Sequence, residues 1–203
     1  MSTIQRACTF LFTATIAASG CAGDLDDELG GDAVEEPAEG EVGPNANSEP
    51  REEGGQRTII DATDDSTWVY FDLESGRQLE VDDPMEDIDW DLAFLRFNIA
   101  TNGGISGEAG VEVAIVEAAF DEVTEAPADG YLVDEEDGDD VNEEPDYVFH
   151  EWYNYNFMTH ILTPADITYV VQTGQGNAFK VAVENYYDEA GTSGIPTIIW
   201  APL

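Results

Sequence analysis

Ile167-Thr168-Tyr169-Val170-Val171-Gln172-Thr173, then Gly174-Gln175-Gly176-Asn177, then Phe179-Lys180-Val181-Ala182-Val183-Glu184-Asn185-Tyr186-Tyr187 is the stretch on which the fold turns. Two runs rich in β-branched and aromatic residues flank a Gly-rich loop, the pattern of an antiparallel hairpin. Toward the C-terminus, Gly191-Thr192-Ser193-Gly194-Ile195-Pro196 reads as a turn before a last strand, Thr197-Ile198-Ile199-Trp200. Toward the N-terminus, Trp68-Val69-Tyr70-Phe71-Asp72-Leu73 is a short strand closed by Ser75-Gly76. Trp90 to Ile99 reads as one strand with Trp90, Leu92 and Phe94 on one face, and Val111 to Val116 alternates in the same way. Between them, Thr101-Asn102-Gly103-Gly104 is a tight-turn or hairpin signal, because Asn-Gly readily takes positive φ. Only Met85 to Ile88 and Ala118 to Val123 suit short helical turns. Closely spaced strands with turns between them predict an all-β, or at least β-dominated, fold of antiparallel sheets joined by hairpins.

The rest of the chain is of a different kind. From Ala22 to Gln56 there is no aromatic residue, and Asp, Glu, Gly and Pro dominate. So little apolar surface cannot offset ordering entropy, and like charges hold such a segment extended. Composition therefore predicts a disordered acidic tether over 21–56 and a β domain over 57–203. The net charge of −39 repels phosphate and so excludes nucleic acid as a partner. The two cysteines, Cys8 and Cys21, both precede the domain, which rules out a disulfide, a thiolate-bound zinc or a thiol nucleophile within it.

Residues 1–20 read as an export signal: Arg6, then an apolar run from Ala7 to Ala18 too short and Thr-rich to span a bilayer. Ala18-Ser19-Gly20-Cys21 resembles the bacterial lipobox, with Ala18 where Leu is commoner. The resemblance implies cleavage before Cys21 and acylation of its thiol, with the lipid bilayer as partner. Ala22, in place of the Asp that retains lipoproteins at the inner membrane, implies a cell-envelope address at the outer membrane.

No catalytic constellation is present. Gly191-Thr192-Ser193-Gly194-Ile195 lacks the final Gly of a nucleophile elbow, and His150-Glu151-Trp152-Tyr153-Asn154 lacks the second His of a zinc-protease helix. The chain reads as a binding or structural module rather than an enzyme. Asp134 to Asp146 is rich in acids and free of bases, which predicts a solvated loop. It does not match an EF-hand, since Val133 would fall at position 1 when Gly138 is at 6. Asp137, Asp139 and Asp140 are the candidate residues for loose divalent-cation association.

Several segments, in order, resemble the HmuY family of surface haem-binding lipoproteins. They are Ile88-Asp89-Trp90-Asp91-Leu92-Ala93-Phe94 running into Thr101-Asn102-Gly103-Gly104-Ile105-Ser106-Gly107, then Trp152-Tyr153-Asn154-Tyr155. Tyr169 to Thr173, Gly176, Phe179-Lys180-Val181, Tyr186-Tyr187 and Gly191-Thr192-Ser193-Gly194 complete the set. The resemblance covers most of residues 65–203 and implies an antiparallel all-β domain on a lipid anchor. It also implies haem as cofactor, held between two side chains (His or Met) and taken up free or from a haem-carrying protein. The iron-ligand candidates of those types are His150, His160 and Met158. Two axial ligands lie about 4 Å apart across an iron, so His150 and His160 meet one haem only if the chain reverses between them. Tyr153-Asn154-Tyr155-Asn156 is the expected reversal, and Phe149, Trp152, Tyr153, Tyr155 and Phe157 are the aromatics that would line a flat pocket. The residues leave two alternatives: a ligand-free surface scaffold acting through protein contacts, and a cation module on the acidic stretch.

Overall fold

The computed structural model describes residues 43–138 and 145–203. The signal segment, Cys21 and most of the tether lie outside the described residues, as do Asp139 and Asp140. Within them the strands run β1 (Ala46–Pro50), β2 (Gln56–Ile60), β3 (Val69–Asp72), β4 (Arg77–Leu79), β5 (Leu92–Leu95) and β6 (Asn98–Thr101). They continue as β7 (Glu112–Val116), β8 (Tyr131–Leu132), β9 (Tyr153–Asn156), β10 (Ile161–Pro164), β11 (Thr168–Gln172), β12 (Ala178–Tyr187) and β13 (Ser193–Pro202). Seven form one sheet in the order β1-β2-β13-β12-β11-β7-β8, four form a second in the order β4-β3-β5-β6, and β9 with β10 makes a separate hairpin. Every pairing is antiparallel, as the sequence predicts.

Period-2 alternation decides what each face buries. On the large sheet Tyr169 and Val171, Phe179, Val181 and Val183, and Ile198 and Trp200 enter the main core. From the small sheet Val69 and Phe71, then Leu92 and Phe94, enter the same core. The intervening residues pack elsewhere. Ala182, Ile199 and Ala201 lie under Phe120, and Tyr70, Ala93 and Ala100 gather around Trp90. Two sheets thus share one core and each keeps a second, separately covered face.

Four sequence expectations are corrected here. The tether boundary at Gln56 is too late: Ala46 to Pro50 pairs residue by residue with Ile60 to Gln56, and Ala46 is buried. A polar strand needs only a neighbour's backbone groups, which composition does not reveal. The run Trp90–Ile99 is two strands: Leu95 pairs with Asn98 across a turn at Arg96-Phe97, with Arg96 at φ 55°. Arg96 is held there because its guanidinium donates to the Thr63 carbonyl at 2.9 Å and to Ser193 Oγ at 2.9 Å. Trp90 precedes β5 and packs with the outer cluster, apart from Leu92 and Phe94.

Asn102-Gly103 is the third correction, since it closes no hairpin: β6 and β7 lie in different sheets. Asn102 is instead buried, donating to the carbonyls of Asp87 and Trp90 and accepting from the Ala109 N–H. A Cβ on Gly104, at φ +63°, would sit 1.9 Å from the Asp134 carbonyl oxygen, so close packing requires that glycine. Finally, Met85 to Ile88 forms no regular helix but overlaps a single turn in which the Glu86 and Asp87 N–H groups donate to the Asp83 carbonyl; Phe120–Glu122 forms a 3₁₀ turn, and an unexpected one spans Val148–Glu151. Among the described residues no helix is long and apolar enough to cross a membrane.

Candidate functional site

Asp134 begins the construction of the site. Its side chain is buried, contrary to the reading of 134–146 as wholly solvated, because backbone donors meet both oxygens. Oδ2 accepts from the Thr101 N–H at 2.8 Å and Oδ1 from the Val148 N–H at 2.9 Å. Burial pushes its carboxyl above the usual range, against the pull of those two donors. The result pins the 3₁₀ turn Val148–Glu151 to the end of β6. Glu135 and Asp146 also bridge the base of the acidic stretch.

The turn carries Phe149 inward, where it stacks on Tyr169 at 4.0 Å between centroids. Trp152 follows, buried, with its Nε1–H donating to the Phe97 carbonyl at 2.8 Å. Both aromatics are core, so only part of the expected aromatic lining faces outward. Tyr153 is half-buried, Tyr155 is exposed, and Phe157 and Met158 are 80% and 90% exposed.

The chain reverses at Phe157–His160, one turn beyond the predicted Tyr153–Asn156, which is itself strand β9. Asn156 makes the reversal: its Oδ1 accepts from the Met158 N–H at 2.9 Å, and its carbonyl from the His160 N–H at 2.8 Å. His160 takes φ 56°, a left-handed conformation uncommon for a side-chain-bearing residue. The hairpin is docked on the large sheet where the Tyr187 hydroxyl accepts from the Leu162 N–H at 2.9 Å.

Met158 and His160 are therefore together on one tip, while His150 precedes the hairpin's base. The four-residue strand β9, about 10 Å from end to end, lies between base and tip. No hydrogen bond or ring contact joins the two histidines, and each has its own partner. His150 Nδ1 lies 2.8 Å from the Tyr147 carbonyl, which only accepts, so Nδ1–H donates there. Nε2 is 3.7 Å from Glu151 Oε1. His160 Nδ1 lies 2.5 Å from the Tyr155 hydroxyl. With Nδ1 engaged in each case, Nε2 is the nitrogen left to meet a metal, the arrangement in which outer partners orient metal-binding imidazoles.

These donors fit a haem iron in chemistry: two imidazoles fixed through Nδ1 and one exposed thioether. Cations for its propionates are scarce. Arg96 is bound to Thr63 and Ser193, Lys180 donates to the Phe120 and Val123 carbonyls, and Arg51 and Arg57 face Asp121 and Glu184. Asp137 is half-buried, and among the described residues no group of three or more His, Cys, Asp or Glu side chains is placed to hold a metal ion. Asn156 stood in the expected reversal, the observed one falling just after it, and the buried role of Asp134 was missed. Asn156 had a signal, the tolerance of Asn for turn conformations, whereas Asp134 was hidden among other acids.

The HmuY protein family model matches residues 64–200. Among solved structures, a Tannerella forsythia apo HmuY analog is 18% identical at a TM-score of 0.58, covering 78% of this chain and 97% of its own. A candidate lipoprotein from Bacteroides fragilis is 18% identical at 0.55, covering 77% and 95%. An HmuY-like candidate heme binding protein from Bacteroides vulgatus is 22% identical at 0.50, covering 71% and 89%. At these identities the structural likeness is one of fold. No curated protein matches the chain.

Proposed function

We propose, of a chain that belongs to the HmuY family, that it is a haem-binding lipoprotein of the cell envelope rather than an enzyme. Acylated Cys21 holds it to the bilayer, at the outer membrane given Ala22, and the acidic segment behind Cys21 sets its reach. The β domain binds haem, free or presented by a haem-carrying protein. One observation carries the reading: a hairpin tip that leaves Phe157 and Met158 80% and 90% exposed beside a His160 oriented through Tyr155. Exposed apolar side chains that are contiguous, as Tyr155, Phe157 and Met158 are on this tip, mark ligand or partner sites. Haem supplies, when bound, an iron with two axial positions and a flat apolar ring.

His160 and Met158 are the ligand candidates on the tip, and His150 the candidate at its base. Phe157 and Tyr155, in edge contact at 5.0 Å, offer apolar surface to the ring. The propionates face water, consistent with how few cations the fold leaves to pair them.

A hemin titration of the full chain in ferric and ferrous states tests this. One equivalent should give a saturable Soret band, and His160→Ala should weaken binding at least tenfold. Met158→Ala should matter more in the ferrous state, because a thioether is a soft ligand. Absence of a saturable band, or a band unchanged when His150, Met158 and His160 are all replaced, overturns the proposal.

A further inference from the structure

The outward face of the small sheet holds a second recess, made by different residues. One row across that face reads Leu79, Tyr70, Ala93, Ala100, because Tyr70 pairs with both Leu79 and Ala93, and Ala93 pairs with Ala100. The two alanines leave a hollow where neighbouring positions carry rings. Tyr70 and Trp90 meet edge to face at 5.1 Å, and Trp68 and Tyr147 at 6.0 Å. All four rings line a cavity of about 170 Å³ over that alanine floor. The Trp90 Nε1–H is already used, donating to the Pro84 carbonyl at 3.2 Å. The cavity is well below the roughly 300–1,000 Å³ of pockets for drug-sized ligands, so it takes a headgroup rather than a haem.

Charge selects the ligand. No Lys or Arg lines the cavity. The segments that supply its walls are acidic: Asp64-Asp65 before Trp68, Asp82-Asp83 before Pro84, Glu86, Asp87 and Asp89 before Trp90, and Asp146 before Tyr147. No base occurs from Gln78 to Leu95, and Arg77, on the neighbouring strand, stands opposite Asp72 in register. Aromatic faces present negative potential to a ligand, and an acidic surround deepens it.

We infer that this four-ring recess binds a small alkylammonium cation of the choline type, held by cation–π contact with Trp68, Tyr70 and Tyr147, with Trp90, 1% exposed, packed behind Tyr70. Neutral or anionic groups of the same shape are discriminated against. The headgroup of a choline lipid and a free amine offer the same chemistry, and phosphate tells them apart: the acidic surround repels it.

Calorimetric or NMR titration of the full chain with choline, its neutral isostere 3,3-dimethylbutan-1-ol, and phosphocholine tests the inference. Choline should bind saturably and at least tenfold more tightly than the neutral isostere. Binding of phosphocholine as tight as that of choline assigns a lipid-headgroup source, and weaker binding assigns a free amine. Trp68→Ala should reduce choline binding about tenfold, with Tyr147→Leu as the second variant should the first lose its β circular dichroism. Equal binding of choline and the isostere, no saturation at tens of millimolar, or unchanged binding in both variants overturns it. None of these readouts involves haem, so the outcome stands apart from the hemin titration.

Discussion

Replacing Asp91 by Asn should stabilise the protein, and by more above neutral pH than in mild acid. Asp91 is 2% exposed at the head of β5, and Oδ2 accepts from the Leu73 N–H at 2.8 Å. Burial pushes its carboxyl from 3.8 up to about 7, with the nearby Asp72 and Glu74 charges and a hydrogen bond to Asp72 adding to the rise. The Leu73 donor opposes the shift without reversing it. The folded state therefore holds this proton more tightly than the unfolded chain. Its stabilisation is complete below about 3.8 and lost as pH rises through about 7. At about 1.4 kcal/mol per pH unit the loss is on the order of 4 kcal/mol, an upper figure for a buried group. Asn keeps an acceptor for Leu73, turns an N–H toward Asp72 and removes the titration. Urea unfolding followed by tryptophan fluorescence at pH 5 and pH 8, on both proteins, isolates this effect. Repulsion among the other carboxylates is common to the two and cancels in their difference. The variant should gain about 2–4 kcal/mol over wild type on going from pH 5 to pH 8. A difference that is the same at both pH values, or a variant less stable by more than about 1 kcal/mol at pH 8, refutes the reasoning.

Asp134→Asn should do the opposite. Two backbone donors, Thr101 and Val148, need two acceptor oxygens, and the amide has one, so a loss of about 1–3 kcal/mol is expected in the same unfolding assay. Asn102→Ala removes three side-chain hydrogen bonds, to Asp87, Trp90 and Ala109, and should cost about 3 kcal/mol at roughly 1 kcal/mol each, read as a fall in urea midpoint at constant slope. A chain beginning at Arg57 lacks β1 and leaves β2 as a bare edge. It should be less stable by about 2 kcal/mol or more and more prone to aggregate by light scattering than one beginning at Gly43, and equal behaviour would mean β1 adds nothing.

The centre of the large sheet, β7 and β11 to β13, was legible because those strands carry their own signal. In Thr168 to Tyr187 the β-branched and aromatic residues, the Gly-rich loop and the alternation agree, and the structure pairs Tyr169 with Val181 across that loop. The reading failed where a residue's role depended on a distant partner. Arg96 turns the chain inside an apparently continuous strand because Thr63 and Ser193 hold its guanidinium. Asn102-Gly103 has turn chemistry but serves as a buried bridge between sheets. At the hairpin, Asn156 set the reversal through side-chain hydrogen bonds that sequence spacing placed one turn too early.

By itself the sequence determined the class: antiparallel β, strongly acidic, no cysteine in the domain, and the segments that align with the family. Those follow from composition and from a two-residue period, both local properties of the chain. Only the tertiary structure decided that Ala46 to Pro50 belongs to the sheet, and that Phe149 and Trp152 are core while Phe157 and Met158 face water. It alone raised Asp91 and hollowed a recess over Ala93 and Ala100. Each of these depends on which groups distant in sequence share one volume without water, and on the donors and charges found there. Periodicity along a single strand holds no record of that.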